Sequence, residues 1–160
     1  MKLRLSALLT LVSMALSLSA QQPKQFVQAE LLKTIKTKNA KVGDPVKART
    51  VNAVVLPGGV NVSVGAILLG EVRAVDGASL AISFDRVEQD SKNTPLILSI
   101  RAARMPGESP KSQAAQTGAV IGMAGVSLQV DDSPRHASKF ASDGKELQLN
   151  KGLQLMLAVP

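Results

Sequence analysis

The stretch from Val42 to Val75 constrains the fold of this chain more than any other. It contains two runs rich in Val, Ala and Leu, with Gly and Pro residues before, between and after them. Short apolar runs bounded by such residues are typical of β-strands joined by turns. Because later segments repeat the pattern, the sequence predicts an all-β fold, a small antiparallel β-barrel or sandwich.

The first two predicted strands cover residues 27–36 and 46–56. A helix is the alternative for the first, because Leu31, Leu32 and Ile35 also have helical spacing. In the second, the alternating apolar residues occupy even-numbered positions before Thr50 and odd-numbered positions after it. An apolar face cannot switch sides of a sheet without an extra residue, so we expect a β-bulge or a sharp coil at Thr50 and Val51.

Later strands follow from period-two alternation, which is cleanest where Leu80, Ile82 and Phe84 alternate with smaller or polar residues. Strands are predicted over 66–76, 79–87 and 95–103, with a polar loop over 88–94. Two closing strands over 145–149 and 153–159, with Val159 facing inward, are predicted to form a tight hairpin at Asn150–Gly152. The residues expected to form the structural turns are Gly43, Asp44, Pro45, Pro57, Gly58, Gly59, Gly65, Gly70, Asp76, Gly77 and Gly152.

A Gly-rich insertion at about 106–135 precedes the last two strands of a single domain that we expect over 27–160. Gly118 and Gly122 have the G-x-x-x-G spacing that lets two membrane helices approach closely. A helix facing a membrane or an oligomer is therefore one interpretation of 114–128. A flexible loop followed by a short strand over 126–130 is the other, and it is favoured because the run is only 15 residues long and contains Gln116 and Thr117.

The first 20 residues are typical of a secretory signal peptide, with Lys2 and Arg4 before an apolar run that ends in small residues. We expect cleavage after Ala20, with cleavage after Ser19 as the alternative, followed by a disordered leader over 21–26. The apolar run is shorter than the ~20 residues of a spanning helix, which disfavours an uncleaved anchor. This pattern predicts a periplasmic or secreted protein with no integral span after cleavage.

The charge of the chain is moderate and spread along it, and it is compatible with either an envelope protein or an anionic envelope polymer as partner. Loss of Lys2 and Arg4 with the signal lowers the formal charge from +7 to +5. Lipopolysaccharide or another anionic envelope polymer would suit this charge, whereas interleaved aromatics for nucleic acid are missing, so no nucleic acid binding is expected. The lysines concentrated at Lys33, Lys36, Lys38 and Lys41 are interpreted as a solvated face that guards a sheet edge, with a docking surface for an anionic partner as the less favoured alternative.

Few residues suggest catalysis. His136 is the only histidine and lies close to Asp131, Asp132 and Ser133, but three groups from one turn do not converge as a catalytic triad does. These residues are also a weak metal set. A second acidic group, formed by Asp85, Glu88 and Asp90, is interpreted as a solvated strand end.

No phosphate loop, dinucleotide fingerprint or cysteine is present in the sequence. We therefore expect a protein that is not an enzyme and has no cofactor and no metal, with a small hydrolase as the remote alternative.

The blocks V-G-D-P-V-K-A-R-T-V, V-S-V-G-A-I-L-L-G-E-V and L-A-I-S-F-D-R-V resemble the C-terminal β-barrel domain of the TrbI-like conjugation and type IV secretion channel family. Gly65, Leu68 and Gly70 resemble its middle motif, and the segment 152–159 resembles its last strand. Ser63 stands where the family usually has Pro, and a cleavable signal replaces its inner-membrane anchor.

The TrbI-like resemblance implies a barrel without catalytic residues. We expect a stand-alone exported relative, acting in the cell envelope as a module for protein binding or assembly. The alternative is a ring-forming component of an outer-membrane channel, which would be a homo-oligomer.

Overall fold

The computed structural model describes residues 25–108, 117–131, 137–144 and 146–160, and within these ranges the structure is all-β. The strands alternate with short turns, as the period-two apolar pattern predicts. Their bounds are β1 Val27–Leu31, β2 Ile35–Lys36, β3 Pro45–Thr50, β4 Val54–Leu56, β5 Val60–Val62, β6 Ile67–Asp76, β7 Ser79–Gln89, β8 Lys92–Arg104, β9 Ala119–Ile121, β10 Val126–Gln129, β11 Ser138–Ser142, β12 Gln148–Leu149 and β13 Gln154–Ala158.

Six of these strands close into a barrel. Their order is β1, β3, β6, β7, β8 and β13, each antiparallel to the next, and β13 pairs with β1 to complete the ring. Closure removes the free edges that an open sheet presents to other chains. The prediction of a small antiparallel all-β domain is confirmed, and of its two forms the chain adopts the barrel.

Side chains from all six strands fill the interior of the barrel, and the alternation of buried and exposed residues is most regular on β3. On β3, Val46, Ala48 and Thr50 are buried while the residues between them are exposed. The largest fully buried side chains include Phe84 and Phe140. With no cysteine in the chain, this apolar packing and the strand ladders hold the fold together.

Additional strands occupy the region where β7 and β8 separate. The first half of β7 pairs with β11, which pairs with β10, while the end of β8 pairs in parallel with β9. The prediction of a strand near 126–130 is confirmed by β10. The alternative of a helix is wrong for the described residues 117–128, because Gly118 and Gly122 have φ near +87° and +81° and lie in turns.

Strand β11 lies in a segment whose polar, turn-rich sequence did not suggest a strand. Its apolar content is low, but Phe140 is fully buried and lies across from Leu80 on one side and Leu128 on the other. Ser138 is also buried, and its hydroxyl bonds to both the backbone N–H and the carbonyl of Ile100. The two buried side chains, Phe140 and Ser138, are enough to fix the position of β11 because β7 and β10 pair with its backbone on both sides.

The predicted strand over 27–36 is interrupted. Strand β1 ends at Leu31, and after a turn the chain forms β2, which pairs with β12 outside the barrel. The helical alternative for this segment is wrong. The last hydrogen bond between this segment and β3 runs from the Leu32 N–H to the Lys47 carbonyl. Beyond Leu32 the chain bends away from the barrel.

The predicted strand over 46–56 divides at the expected place. Strand β3 ends at Thr50, and the coil that begins at Val51 confirms the parity argument. The remainder, β4, leaves the barrel and forms a hairpin with β5 through Pro57–Gly59. Strands β3 and β6 are neighbours in the barrel, and the chain from 51 to 66, which contains this hairpin, connects them.

The hairpin predicted at Asn150–Gly152 is wrong. Strand β12 pairs with β2, while β13 pairs with β1 and β8. The turn between β12 and β13 therefore connects two different sheets. A hydrogen bond from the Gly152 N–H to the Leu31 carbonyl at 2.8 Å fixes this turn to the end of β1. The expected inward residues of β13 are buried, except that Val159 lies beyond its end and is 36% exposed.

The polar loop predicted over 88–94 is also wrong. Strands β7 and β8 continue through it, and only Asp90 and Ser91 form the turn, with φ of 51° and 59°. Positive φ at both central residues characterises the type I′ turn, whose twist matches that of the strands. Asp is tolerated in this conformation, and Ser is less usual there.

The alternation predicted for 95–103 slips by one residue near its end. Met156 lies across from Ala102, but Leu157 lies across from Ile100, so Arg101 is the extra residue of a bulge. Ala103 and not Ala102 therefore belongs to the core cluster with Leu98 and Ile100.

Candidate binding surface

One end of the barrel carries a concentration of basic side chains. Strand β1 ends there, strands β3 and β13 begin there, and the β2–β12 sheet lies beside them. The other end is covered by the β4–β5 hairpin, whose Leu56 and Val62 are buried in the core. We define the lysine end by six exposed residues, Lys33, Lys36, Lys38, Lys41, Lys47 and Lys151.

The segment that carries four of these lysines is anchored at Thr37. Its N–H donates to the Leu147 carbonyl at 3.0 Å, and its Oγ1 accepts from the Leu147 N–H at 3.1 Å. Thr37 is only 6% exposed. A second anchor is Thr34, whose Oγ1 accepts from the Lys151 N–H at 3.0 Å. These bonds hold the backbone while the lysine side chains extend into solvent.

The turn from Lys41 to Pro45 is anchored to strand β6. The Asp44 carboxylate accepts from the Lys41 N–H at 2.9 Å, which is the local backbone bond that makes Asp favourable in turns. The Gly43 N–H donates to the Val72 carbonyl, and the Val72 N–H donates to the Asp44 carbonyl. Gly43 has φ near +91°, a conformation that side chains rarely adopt.

The remaining expected turn residues occupy the ends of strands or the links between them, except for Gly70, which is in the interior of a strand and does not form a turn. Asp76 closes β6 and Gly77 begins the two-residue link to β7, as the Asp-Gly pair predicts. Positive φ values are found at Gly58, Gly59, Gly65, Gly77 and Gly152, and Gly70 lies within β6.

The lysines at this end lack carboxylate partners. None of the six forms an ion pair within the described ranges, where the salt bridges join Arg73 to Glu71 and Asp85, and Arg86 to Asp85. Four acidic residues lie nearby: Asp44 in the anchored turn, Glu146 before Leu147, Glu30 near the end of β1, and Glu71, which lies across from Pro45 and is paired with Arg73. Lysines exceed acids here, so the lysine end has a positive field that extends about 8–10 Å in physiological salt.

A cleft of about 410 Å³ opens at the lysine end, between the β2 segment and the start of β3. Its floor is apolar, and its rim carries charged and hydrogen-bonding side chains. The residues that line it are Lys33, Thr34, Ile35, Lys36, Asn39, Ala40, Asp44, Pro45, Val46 and Val72.

A second, smaller cavity of about 120 Å³ lies against strands β8 and β13. Val51, Ile121 and Met156 supply apolar surface to it. Its one charged group, the Arg104 guanidinium, is hydrogen-bonded to the Gln154 side-chain carbonyl. Gln28 and Gln154 are its other polar side chains, so it offers no set of convergent charged groups.

The residues that the sequence singled out for chemistry are not brought together where the structure describes them. Asp131 is exposed, while Asp132, Ser133 and His136 lie outside the described residues. Asp85 is paired with Arg73 and Arg86, and Glu88 and Asp90 are exposed. Among the described residues, no group of three His, Cys, Asp or Glu could hold a metal ion.

The lysines are evident in the sequence, but the cleft beside them is not. Its floor combines Val46 of β3 with Val72 of β6, which become neighbours only through barrel pairing. Asn39 carries no local pattern that distinguishes it from a loop residue. The high density of lysine over 33–41 indicates where the charged surface lies. It does not indicate that this surface contains a cleft.

Comparison with known proteins finds no family model, no curated protein and no solved structure that matches this chain. The described part of the chain has no helix long and apolar enough to cross a lipid bilayer.

Proposed function

We propose that this chain is an exported, non-enzymatic β-barrel module that binds an anionic partner of the cell envelope through its lysine end. The signal-peptide pattern supports export. The anchored loops support binding, because a surface held in place before contact loses less conformational entropy when the partner binds. The TrbI-like resemblance supports an envelope role.

The observation that carries this proposal is the concentration of six lysines, unpaired among the described residues, at one end of the barrel. Arg73, Arg86 and Arg104 have their charges paired or hydrogen-bonded within the barrel. The six lysines gather at one end with no such partner in the described structure. Like charges held close together repel, and a positive surface of this kind raises the local concentration of anions and speeds their association.

The test uses the mature protein and envelopes isolated from the cells that produce it. A triple variant, Lys38→Glu, Lys41→Glu and Lys47→Glu, reverses charge at the lysine end. A control, Lys92→Glu with Lys139→Glu, reverses charge at exposed positions elsewhere. Co-sedimentation with envelopes is measured at about 0.05 M and about 0.5 M salt, over which screening becomes strong.

We expect wild-type protein to sediment with envelopes at low salt and to be released at high salt. The triple variant should lose at least about tenfold in binding, and the control should lose much less, because electrostatic attraction between exposed groups acts over about one Debye length. Equal binding by all three proteins would contradict the proposal and leave the lysines as a solvated face.

A further inference from the structure

We propose that the cleft at the lysine end binds a single unit of an anionic glycan, a sugar ring that carries a carboxylate or phosphate and has a neutral neighbour. This inference rests on the proposed function and specifies the chemistry of the anionic partner. It depends on the cleft and not only on the positive field around it.

The floor of the cleft is apolar. Val46 and Val72 lie beneath it and are only 2% and 1% exposed, so the apolar surface that a ligand can reach is supplied by the partly buried Ile35 and Ala40 and the exposed Pro45. One face of a pyranose ring presents C–H groups, which pack against such a floor, while the hydroxyls around the ring remain available for hydrogen bonds. A simple inorganic anion would gain nothing from this apolar surface.

The rim supplies both charge and hydrogen-bonding groups. Lys33 and Lys36 are exposed at the mouth and provide the positive charge for a carboxylate or phosphate. The Asn39 side-chain amide has no hydrogen bond to another described residue, so it can both donate to and accept from a sugar. Asp44 uses Oδ2 for the Lys41 N–H and presents Oδ1 as an acceptor for a hydroxyl.

The same Asp44 explains why the glycan should alternate charged and neutral units. A carboxylate on the rim repels a second anionic group placed beside the first. A densely charged polymer or a continuous layer of lipid phosphate would place several anions against Asp44. An alternating glycan places one charge near Lys33 and Lys36 and an uncharged sugar near Asp44.

The size of the cleft fits this partner. Its volume of about 410 Å³ lies within the usual range of small-molecule sites. A flat membrane surface would meet the lysines on the rim but would not reach the apolar floor. Because the chain has no Trp and no Tyr, ring stacking on those side chains is absent, and binding should depend strongly on charge and salt.

The experiment uses ¹⁵N-labelled mature protein titrated with hyaluronate oligosaccharides, whose carboxylate sugars alternate with neutral ones. Dextran oligosaccharides are the uncharged control, and phosphatidylglycerol vesicles represent a flat anionic surface. Amide chemical shifts locate the site, and their concentration dependence gives Kd. We expect hyaluronate to shift amides over 33–46 and at Val72, and dextran to cause no comparable shifts.

Two kinds of variant separate charge from shape. Lys33→Ala with Lys36→Ala should weaken hyaluronate binding at least about tenfold, while Lys92→Ala with Lys139→Ala, which removes equal charge elsewhere, should weaken it less than about threefold. Ala40→Phe fills the cleft with no change of charge and should weaken hyaluronate binding as strongly. If Ala40→Phe does not fold, Asn39→Leu at an exposed rim position is the second variant: it keeps the side-chain size and the charge but removes the hydrogen-bonding amide, and it should also weaken hyaluronate binding.

The outcomes distinguish the two proposals. If the lysine variant loses binding while the cleft-filling variant keeps it, the positive field binds the anion without the cleft, so this inference is overturned and the proposed function stands. Vesicle binding tighter than hyaluronate binding, and unaffected by filling the cleft, would overturn it in favour of a membrane surface. If hyaluronate causes no shifts although the lysine-end charge reversals abolish envelope binding, the glycan assignment alone fails.

Discussion

At the scale of single residues, two positions adjust the barrel where regular pairing fails. Gly70 lies at a bulge, where Leu69 pairs with Arg86 but Gly70 pairs with Phe84. Asn52 lies just after β3. Its side-chain amide makes hydrogen bonds to the backbone at the start of β1, where the backbone pairing between β1 and β3 has ended. Its Oδ1 accepts from the Gln28 N–H at 2.8 Å, and its Nδ2 donates to the Phe26 carbonyl at 3.1 Å.

Replacing Gly70 with alanine should destabilise the barrel strongly. A Cβ at this position would overlap the Ser83 carbonyl oxygen and press against Phe84, and backbone atoms cannot move aside without breaking the β6–β7 ladder. We expect Gly70→Ala to cost about 2–3 kcal/mol or more of unfolding free energy. Urea denaturation followed by far-UV circular dichroism measures this, since the chain has no Trp or Tyr for fluorescence.

The control for Gly70 is Gly144→Ala. Gly144 is exposed, has no positive φ, and a Cβ there would meet its nearest atom at 3.4 Å, so the unfolding free energy should change by less than about 0.5 kcal/mol. Equal stability of the two variants would mean that β6 and β7 do not approach as closely as described.

Replacing Asn52 with alanine should loosen the start of β1. The variant leaves the Gln28 N–H and the Phe26 carbonyl without their side-chain partner, and we expect a loss of about 1–2 kcal/mol. Amide hydrogen exchange at Gln28 should accelerate more than exchange at Ala29. Asn61→Ala is the matched control, because Asn61 contributes a backbone carbonyl to Gln89. Unchanged exchange at Gln28 would contradict this role for Asn52.

At the scale of elements, the strands added to the barrel belong to its core. Strand β11 contributes Phe140, and β10 contributes Leu128, which is 7% exposed. Strand β9 pairs with the end of β8, and the Gly118 N–H donates to the Arg101 carbonyl. The described part of the Gly-rich segment therefore completes the wall where β7 and β8 separate. Deleting 106–135 would remove β9 and β10 together, and so would not isolate an interaction role.

Replacing Phe140 with alanine tests whether β11 is part of the core. Its side chain is fully buried beside Leu80 and Leu128, so the substitution should create a cavity and cost about 3–5 kcal/mol. Lys139→Ala, at the exposed neighbouring position, should change the unfolding free energy by less than about 0.5 kcal/mol. If Phe140→Ala is no less stable than Lys139→Ala, β11 is not a core strand.

At the scale of the whole molecule, the barrel has two unlike ends. The β4–β5 hairpin covers one with apolar side chains, and its outer strand is held by Gln89, whose amide bonds to the backbone of Asn61 and Ser63. The lysine end is open, charged and indented by the cleft. A binding role for this end and a relation to the TrbI-like barrel are proposals, and they can be tested independently of each other.

Export predicts a defined mature N-terminus. When the full chain is produced in a bacterium with two membranes, the protein in the periplasmic or secreted fraction should begin at Gln21, or at Ala20 if cleavage follows Ser19. Mass spectrometry of the intact protein distinguishes these forms. Recovery of the unprocessed chain from the cytoplasm alone would contradict export.

The sequence by itself determined the features that depend on neighbouring residues. Period-two alternation identified β7 because one face of that strand is apolar. The parity change at Thr50 located the end of β3, because side chains on a strand alternate whatever their partner is. Asp76-Gly77 identified a hairpin because its backbone conformation is a local property.

Only the tertiary structure decided which strands pair. Strand β12 joins β2 and not β13, β11 is placed by Leu80 and Leu128, and the cleft forms where Val46 meets Val72. Strand pairing joins residues far apart in the chain, and many pairings satisfy the same local alternation. The choice among them is made by closing the barrel and filling its interior, which involves all the strands at once.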